Sequence, residues 1–371
     1  LVHGDNILDR KQELQNMRIQ DIDNNEPLPD EIVSMNGYLG AKPIQEALSN
    51  EADIVITGRC VDTALVLGPL MHEFNWSIND YDLLAAGSLA GHIIECGAQC
   101  TGGNYTDWHL VNEFENIGFP IVEVQKSGDF IVTKPDKTGG MVSFGTVAEQ
   151  FLYEIGDPNA YILPDVVCDF SQVKIKEIGQ DQVLVSGSKG LAPSSSYKVS
   201  TTYKDGFRVA ATLVIGGKNA LKKSKIVSKA ILSKTNRILE EKGIKKIERT
   251  SISILGTDSI YGEKERAVDS REVVLRIMAI HKIKEALVIF SREIAQASTG
   301  MVSGVINFLG GRPSVSSSIK LYSFLLEKSF FEIKLDIDGE MTPVNIELDG
   351  SYKYNHLESN RIIYEEFETD F

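Results

Sequence analysis

The sequence has few of the features that mark secreted or membrane-embedded proteins. It contains only 4 cysteines in 371 residues, and their spacing shows no disulfide framework. Its apolar runs, such as residues 52–57 and 209–215, are far too short to cross a bilayer. No charged and then apolar signal peptide opens the chain. We therefore predict a cytoplasmic protein that makes no contact with a membrane.

The signatures of common cofactor and catalytic sites are also missing. We find no glycine-rich dinucleotide loop, no P-loop, no H-E-x-x-H zinc motif and no G-x-S-x-G nucleophile elbow. No cofactor is therefore evident. The opening residues LVHGDNILDR lack an initiator methionine and resemble the end of a strand that enters a loop. We expect the chain to begin inside a domain, so a nucleotide loop upstream of it stays an open alternative.

Positive charge is scarce in the first part of the chain. Residues 1–163 carry 8 Lys and Arg against 25 Asp and Glu, and residues 164–371 carry 30 against 27, so the two parts have net charges of −17 and +3, which sum to −14. An acidic surface repels phosphate backbones, so we predict no nucleic-acid partner. The change in charge also predicts a boundary between a first domain, 1–163, and a second domain, 164–371.

Residues 1–163 show the alternation of strands and helices that is typical of α/β layers. ADIVITG, residues 52–58, is a continuous apolar run that predicts a strand buried on both faces of a parallel sheet. Helices are predicted at 41–48 and at about 78–96, and a strand at FPIVEV. We expect a mostly parallel sheet layer, incomplete at its N-terminus, that forms the C-terminal part of a larger Rossmann-like domain.

Residues 164–371 have the pattern of an α+β domain with antiparallel strands. Alternating segments between 173 and 215 predict hairpins, a long lysine-rich helix is predicted from about 219 to 242, and strands at 249–256 and 272–280 follow. Asp338-Gly339 predicts a hairpin turn between FFEIKLDI and VNIEL. The lysine-rich helix has two interpretations, a solvated face or a site for an anionic ligand such as a CoA phosphate.

The stretch LAGHIIECGAQCTGGNYTDW, residues 89–108, groups several chemically useful side chains. On a helix, His92 and Cys96 lie one turn apart, with Glu95 beside them. Their spacing matches none of the usual structural zinc sites, so we predict no metal, and a site built from His92, Cys96 and Cys100 is the weaker alternative. A thiol near a helix C-terminus meets the negative end of the dipole, which favours a buried Cys96 over a nucleophile.

Two further groups are candidates for contacts with a ligand. In the loop Thr101-Gly102-Gly103-Asn104, adjacent glycines would let backbone N–H groups converge on an anion or a carbonyl oxygen, with Asn104 and Asp107 adding side-chain contacts. A plain turn fits this loop equally well. Arg59 and Asp62 follow the predicted strand at 52–58, at the edge where open α/β sheets bind ligands, although a surface ion pair would show the same pattern.

These segments together resemble the acyclic terpene utilisation (AtuA) family. The resemblance rests on NGYLGAKPIQEAL, ADIVITGRCVDTAL, AAGSLAGHIIECGAQCTGGNYTDW, GFPIVEV, TGGMVSFGTVAEQFLYEIGDP, YKVSTTYKDGF and LGTDSIYG, which run in order through most of the chain and are specific as a set. Proteins of this family carry a further N-terminal α/β stretch with a glycine-rich loop. In this chain that stretch would end at Gly4-Asp5-Asn6-Ile7. The resemblance therefore implies that the chain is N-terminally truncated and lacks most of the stretch.

The resemblance also implies a metabolic setting and a set of site positions. Members of the family are linked to catabolism of acyclic terpenes such as citronellol and geraniol, beside acyl-CoA carboxylases, hydratases and dehydrogenases. The positions that match its motifs are Arg59, Asp62, His92, Glu95, Cys96, Gly102, Gly103, Asn104 and Asp107. Cys100 departs from the small aliphatic residue that similar proteins carry there. The family resemblance does not name a reaction or a substrate.

Two functions of different classes fit these observations. In the first, the protein is a non-redox enzyme, a lyase or hydrolase rather than an oxidoreductase, that acts on an acyl or acyl-CoA compound. Asp62 or His92 is the general base, with Glu95 and Cys96 in the catalytic group, and Arg59 with the 101–104 loop holds a carboxylate or thioester oxygen. In the second, it is a non-catalytic subunit that forms a homo-oligomer or partners an acyl-CoA carboxylase or hydratase.

Overall fold

The computed structural model describes residues 1–247, 249–264, 266–267, 269–306, 311–346 and 352. Its α-helices are α1 Lys11–Asn16, α2 Lys42–Ser49, α3 Ala64–Phe74, α4 Tyr81–Ile94, α5 Phe144–Leu152, α6 Ala220–Glu241, α7 Lys284–Glu293 and α8 Ala297–Gly300. Its strands are β1 Val2–His3, β2 Ile32–Gly37, β3 Ile121–Val124, β4 Phe130–Thr133, β5 Tyr161–Ile162, β6 Val167–Asp169, β7 Lys174–Gly179, β8 Gln182–Ser186, β9 Lys189–Leu191, β10 Ser196–Gly216, β11 Arg249–Leu255, β12 Glu272–His281, β13 Val305–Ile306, β14 Ser316–Glu327, β15 Lys334–Ile337 and β16 Glu340–Pro343.

The described residues divide into two units, and neither is a continuous stretch of chain. The first unit comprises Leu1–Leu28, Ser34–Thr201 and the described residues after 322, and the second comprises Pro29–Val33 and Thr202–Tyr322. The strands β2, β10 and β14 each pass from one unit into the other. The candidate site residues from Arg59 to Asp107 all belong to the first unit.

The first unit combines helices with three small sheets. Their strand orders are β3-β4-β8-β7, β5-β6-β9 and β1-β15-β16. Every strand pair with a described register in these sheets is antiparallel. Parallel pairing occurs at isolated bridges, such as Val2 with Thr57 and Leu39 with Cys60. The mixture of helices and antiparallel sheets is confirmed, and the mostly parallel layer is not.

The helix α4 forms the buried centre of the first unit, and its glycines let α3 approach. A Cβ at Gly91 would lie 2.8 Å from Thr63 Cα, and one at Gly87 would lie 2.8 Å from Leu67 Cδ1. Ten residues of α4, from Leu84 to Ile93, are buried without a break. A helix that is apolar all round is buried on every side, and here the small side chains allow backbones to pack closely.

The prediction of a buried strand over residues 52–58 is wrong. This segment forms no named strand, and Ile54 and Ile56 are 79% and 60% exposed. Only β1 pairs with it, through Val2 N–H to Ile56 O at 2.8 Å and Gly58 N–H to Val2 O at 3.3 Å. A strand becomes buried on both faces only when neighbouring elements cover both faces, and the described residues leave these isoleucines uncovered.

The second unit has helices on an antiparallel sheet of order β11-β12-β10-β13. Buried residues alternate with more exposed ones along β10 and β12. The buried Leu213 pairs with Leu275, and the buried Ala211 pairs with Ile277. The helix α6 buries Val227, Ile231 and Leu239 in the same core and leaves most of its lysines exposed. The antiparallel strands and the long helix predicted here are confirmed, and the lysines of α6 form a solvated face.

The turn predicted at Asp338-Gly339 is present in the structure. Asp338 and Gly339 both have positive φ, 52° and 88°, and they join β15 to β16 with Ile337 opposite Glu340. The second strand is residues 340–343 rather than VNIEL, of which residues 347 and 348 lie outside the described residues. Among the helices of the described part of the chain, none is long and apolar enough to cross a membrane.

Candidate functional site

The turn that carries Arg59 is held by the buried carboxylate of Asp5. One oxygen, Asp5 Oδ2, accepts the Arg59 N–H at 2.8 Å and the Asn36 side-chain N–H at 2.8 Å. A Cβ at Gly58 would lie 2.0 Å from Asp5 Oδ1, so this position requires glycine. The Arg59 guanidinium is exposed and lies 5.4 Å from the Tyr38 ring centroid. The turn therefore presents a cation at the surface on a rigid backbone.

The exposed Asp62 lies close to this cation. Burial raises the pKa of the nearby Cys60 thiol, a hydrogen bond with Thr57 opposes the rise, and the charges of Asp62 and Arg59 act in opposite directions. Because both charges reach one sulfur, the two side chains share one small region of the surface. The structure thus brings together the cation and the carboxylate that the sequence analysis placed at a ligand-binding edge.

His92 is fully buried, and both of its ring nitrogens have oxygen partners. Its Nδ1 lies 2.9 Å from Glu95 Oε1 and its Nε2 lies 3.0 Å from the Gln150 carbonyl oxygen, while the Gln150 side-chain amide donates to the His92 carbonyl at 2.8 Å. The contacts between His92 and Gln150 link α4 to α5, and Glu95, which is partly exposed, closes the other side of the imidazole.

Cys96 lies beside the same pair and is partly exposed. Burial raises the pKa of its thiol, a hydrogen bond with Gln150 opposes the rise, and the negative charges of Glu95, Glu154 and Asp62 raise it further. A rise in the pKa of a thiol is also expected near a helix C-terminus, although burial is the largest cause of the rise here. Cys96 is therefore a thiol rather than a reactive thiolate, and Asp62, Glu95 and Cys96 form one cluster, here called the acidic cluster.

The 101–104 loop is a tight turn whose amides are already bonded. The Gly102 N–H donates to Gln99 O at 3.2 Å, and the Gly103 N–H donates to Ala98 O at 2.8 Å. Gly102 has a φ of +108°, and a Cβ at Gly103 would lie 2.9 Å from Ala98 O. Turn geometry therefore accounts for both glycines, and in this structure neither amide points to an external anion.

The other polar residues of this loop divide into buried and exposed ones. Thr101 is fully buried, and its hydroxyl lies within hydrogen-bond distance of Ala98 O and Gly118 O. Asn104, in a left-handed conformation with a φ of 58°, and Asp107 are both exposed. Thr101 thus fixes the loop, and Asn104 and Asp107 are the side chains that a ligand can reach.

The described cysteines and histidines show no metal position. No group of three or more His, Cys, Asp or Glu side chains in the described residues has an arrangement that could hold a metal ion. Cys100 is fully buried, and burial raises the pKa of its thiol to about 12. A thiol with so high a pKa is a poor ligand, because metals bind the thiolate.

The first unit also contains a cavity of about 280 Å³ that is lined by other residues, among them Asp165. Its carboxylate oxygens lie 3.0 and 2.9 Å from the Ala41 N–H at the start of α2. A Cβ at Gly40 would lie 2.3 Å from Asp165 Oδ1, so glycine is required there too. Burial raises the pKa of Asp165, while the Ala41 hydrogen bond and the charge of Lys328 oppose the rise.

Lys328 lines the same cavity and is almost fully buried, at 5% exposure. Its Nζ donates to Pro164 O at 2.7 Å and lies 5.5 Å from the Tyr197 ring centroid. Burial lowers the pKa of Lys328, and the charges of Asp165 and Glu327 oppose the change. The cavity therefore contains a carboxylate and an amine in a poorly solvated setting, which is typical of ligand sites.

Comparison with known protein families gives a match over most of the chain. The model of the family "Acyclic terpene utilisation family protein AtuA" matches residues 1–337. The chain belongs to this family. No curated protein and no solved structure matches the chain. The membership links this AtuA family protein to acyclic terpene utilisation and confirms the resemblance on which the site positions were chosen.

The sequence analysis missed the cavity residues Asp165 and Lys328. Leu163-Pro164-Asp165 drew attention only as the place where the charge balance changes, and Lys328 lies more than 160 positions further along. The one local signal was Gly40 directly before α2, since a glycine at a helix start marks a close backbone approach. Pairing that glycine with a distant carboxylate required the fold.

Proposed function

We propose that this AtuA family protein is a non-redox enzyme of acyclic terpene or related acyl or acyl-CoA catabolism. It would hydrate, dehydrate or hydrolyse a small acyl compound at the surface formed by Arg59 and Asp62. The observation that supports this is the turn held by Asp5, which presents the exposed Arg59, followed three residues later by the exposed carboxylate of Asp62. The cytoplasmic location, the two-domain division at residue 163 and the parallel-sheet layout of the first domain stay predictions from the sequence.

The residues of the proposed site take different roles. Asp62 is the general base, because its carboxylate is exposed and accepts no hydrogen bond from the described residues. Arg59 binds the carboxylate or thioester oxygen of the substrate, and the exposed Asn104 and Asp107 supply further contacts. His92 is fully buried and bonded to Glu95 and Gln150, so we assign His92 and Glu95 to positioning α4 and α5 rather than to proton transfer with the substrate.

The test is turnover by the purified protein on a panel of acyl-CoA thioesters and the matching free acids. Mass spectrometry reports gain or loss of water and release of CoA. We expect Asp62→Asn to lower kcat by about a hundredfold or more, because general base catalysis contributes about 10²–10⁴. Asp53→Asn, a change at another exposed aspartate of the same segment, is the matched control and should keep the wild-type rate. Wild-type turnover by Asp62→Asn would contradict the proposal.

A second function, a non-catalytic subunit that binds another protein, has its own supporting observation. Several large aromatic side chains of the first unit are exposed, with Trp108 at 66%, Phe119 at 65% and Phe144 at 54% exposure. Exposed aromatic residues are enriched at protein interfaces. Absence of turnover on the whole panel, combined with a stable complex with an acyl-CoA carboxylase or hydratase that tolerates Arg59→Ala and Asp62→Asn, would favour this function.

A further inference from the structure

The cavity holds Lys328 without a carboxylate partner at ion-pair distance. Its Nζ donates to the Pro164 carbonyl oxygen at 2.7 Å, and no carboxylate of the described residues lies within 4.0 Å of it. An almost fully buried lysine usually has an ionised partner in direct contact. Here the nearest negative charges act only at longer range, and burial lowers the pKa of Lys328, which increases the share of the neutral amine.

Asp165 is kept away from Lys328 by its own backbone partner. Both of its oxygens approach the Ala41 N–H, and the absence of a side chain at Gly40 leaves the space that the carboxylate fills. The two side chains therefore line one cavity while each is tied to a different backbone group, Pro164 O and Ala41 N–H. This arrangement leaves an amine and a carboxyl group with a raised pKa available to the same ligand.

The remaining walls suit a small organic molecule with one polar end. Met71, Ile78 and Leu84 supply apolar surface. The indole N–H of Trp76, a residue that lines the cavity and is 3% exposed, has no hydrogen-bond partner in the described part of the chain. A buried N–H without a partner costs about 1–3 kcal/mol, which a ligand oxygen would recover. The volume of about 280 Å³ equals roughly nine water molecules at about 30 Å³ each.

We propose that this cavity binds a small ketone or aldehyde and that Lys328 condenses with its carbonyl carbon to form an imine. The Nζ lone pair forms the N–C bond while the carbonyl π electrons move to oxygen, which takes a proton from the Asp165 carboxyl group. The hydroxyl of this adduct then leaves as water, and the C=N bond forms as nitrogen loses its protons, one of which returns to Asp165. No oxidant or reductant is needed.

The environment of each group favours this reaction. An imine forms only from a neutral amine, and a desolvated lysine in an apolar cavity is the usual source of one. A carboxyl group whose pKa is raised can donate a proton near neutral pH. The Trp76 N–H can donate a hydrogen bond to the carbonyl oxygen before the attack. This inference does not depend on the function proposed for Arg59 and Asp62, since it uses other residues and a different class of ligand.

The test is reductive trapping in the wild-type protein. The protein is incubated with butanone or butyraldehyde and sodium cyanoborohydride, and the modified lysine is located by peptide mass mapping. We expect one saturable adduct per chain on Lys328, with a mass gain equal to the carbonyl compound minus its oxygen. The rate on Lys328 should rise as the pH approaches the pKa of this amine. Modification spread over exposed lysines, with no preference for Lys328 while the protein is folded, would overturn the proposal.

Variants separate the reaction from a structural role of the lysine. Lys328→Arg should lose the adduct, and Lys189→Arg, a change at a lysine with a 60% exposed side chain in the same unit, should keep it. Asp165→Asn should slow trapping at least tenfold while Lys328 stays buried. If Asp165→Asn traps as fast as the wild type, the role of Asp165 as proton donor is wrong, and the mapping in the wild type still decides whether Lys328 reacts.

Discussion

His92 shows how burial bears on the role that a residue can be assigned. A histidine beside a glutamate on a helix is a common general base, but here the imidazole is fully buried and both ring nitrogens have oxygen partners. Such a pair is costly to form unless both hydrogen bonds are made, and once they are made it holds two helices in register. Asp62, which is exposed, is the better candidate for proton transfer.

Asp205 of the second unit allows a test of electrostatics at a single residue. It accepts from Arg249 Nη1 at 3.0 Å, Lys320 Nζ at 2.8 Å and Lys282 Nζ. Burial acts to raise the pKa of Asp205, but these hydrogen bonds outweigh burial and hold the pKa well below its usual range. The stabilisation by the ionised Asp205 is therefore fully present above the pKa of an aspartate in the unfolded chain, about 3.9. It is lost as the pH falls below that value toward the lower pKa of the folded state.

We predict that Asp205→Asn lowers the free energy of unfolding of this unit by about 1–3 kcal/mol at pH 7, since hydrogen bonds to charged groups contribute about that much. The difference between variant and wild type should shrink as the pH falls from 5 to below 3. Urea unfolding at several pH values measures it, with Asp269→Asn as the control at an exposed position. A difference that stays constant over this pH range would show that the charge of Asp205 does not stabilise the fold.

At the scale of elements, the close approach of α3 and α4 depends on glycine. Gly91 costs about 1 kcal/mol of helix propensity relative to alanine. A Cβ there would lie 2.8 Å from Thr63 Cα and 3.0 Å from Thr63 O, which are backbone atoms that cannot turn away. The steric cost therefore exceeds the gain in propensity.

We predict that Gly91→Ala destabilises the first unit by about 1–3 kcal/mol, the usual cost of an overpacked core. Gly156→Ala is the matched control, because a Cβ there meets nothing within 4 Å, and it should change stability by less than about 0.5 kcal/mol. Denaturant unfolding of the three proteins measures both effects. A variant Gly91→Ala as stable as the wild type would mean that α3 and α4 can separate at no cost.

Elements with a local pattern were predictable from the sequence, and elements that depend on distant partners were not. The helix predicted at 41–48 is Lys42–Ser49, and the one predicted at about 219–242 is Ala220–Glu241. Residues 52–58 have the composition of a buried strand, but burial depends on neighbours that the composition does not specify. Hairpins are predicted between 173 and 215, but residues 196–216 form one long strand, β10, with Gly206 inside it at a φ of +77°.

At the scale of the whole molecule, the family membership and the structure support different parts of the account. The match over residues 1–337 links the protein to acyclic terpene utilisation. In the structure Arg59 and Asp62 are both exposed, and the charge of Asp62 acts on the thiols of Cys60 and Cys96. The structure also shows the cavity that Asp165 and Lys328 line. No local sequence pattern predicts this cavity, because its residues meet only in the folded chain.

The central claim is that Arg59, Asp62 and Asn104 form the site of an acyl ligand, and native mass spectrometry tests it most directly. The protein is titrated with acyl-CoA thioesters and free acids, beside the variants Arg59→Ala and Asn104→Ala. We predict a saturable one-to-one complex with at least one compound, lost in both variants and kept in Lys126→Ala, a control at another exposed cation. No complex with any compound, or a complex unchanged in both variants, would contradict the account.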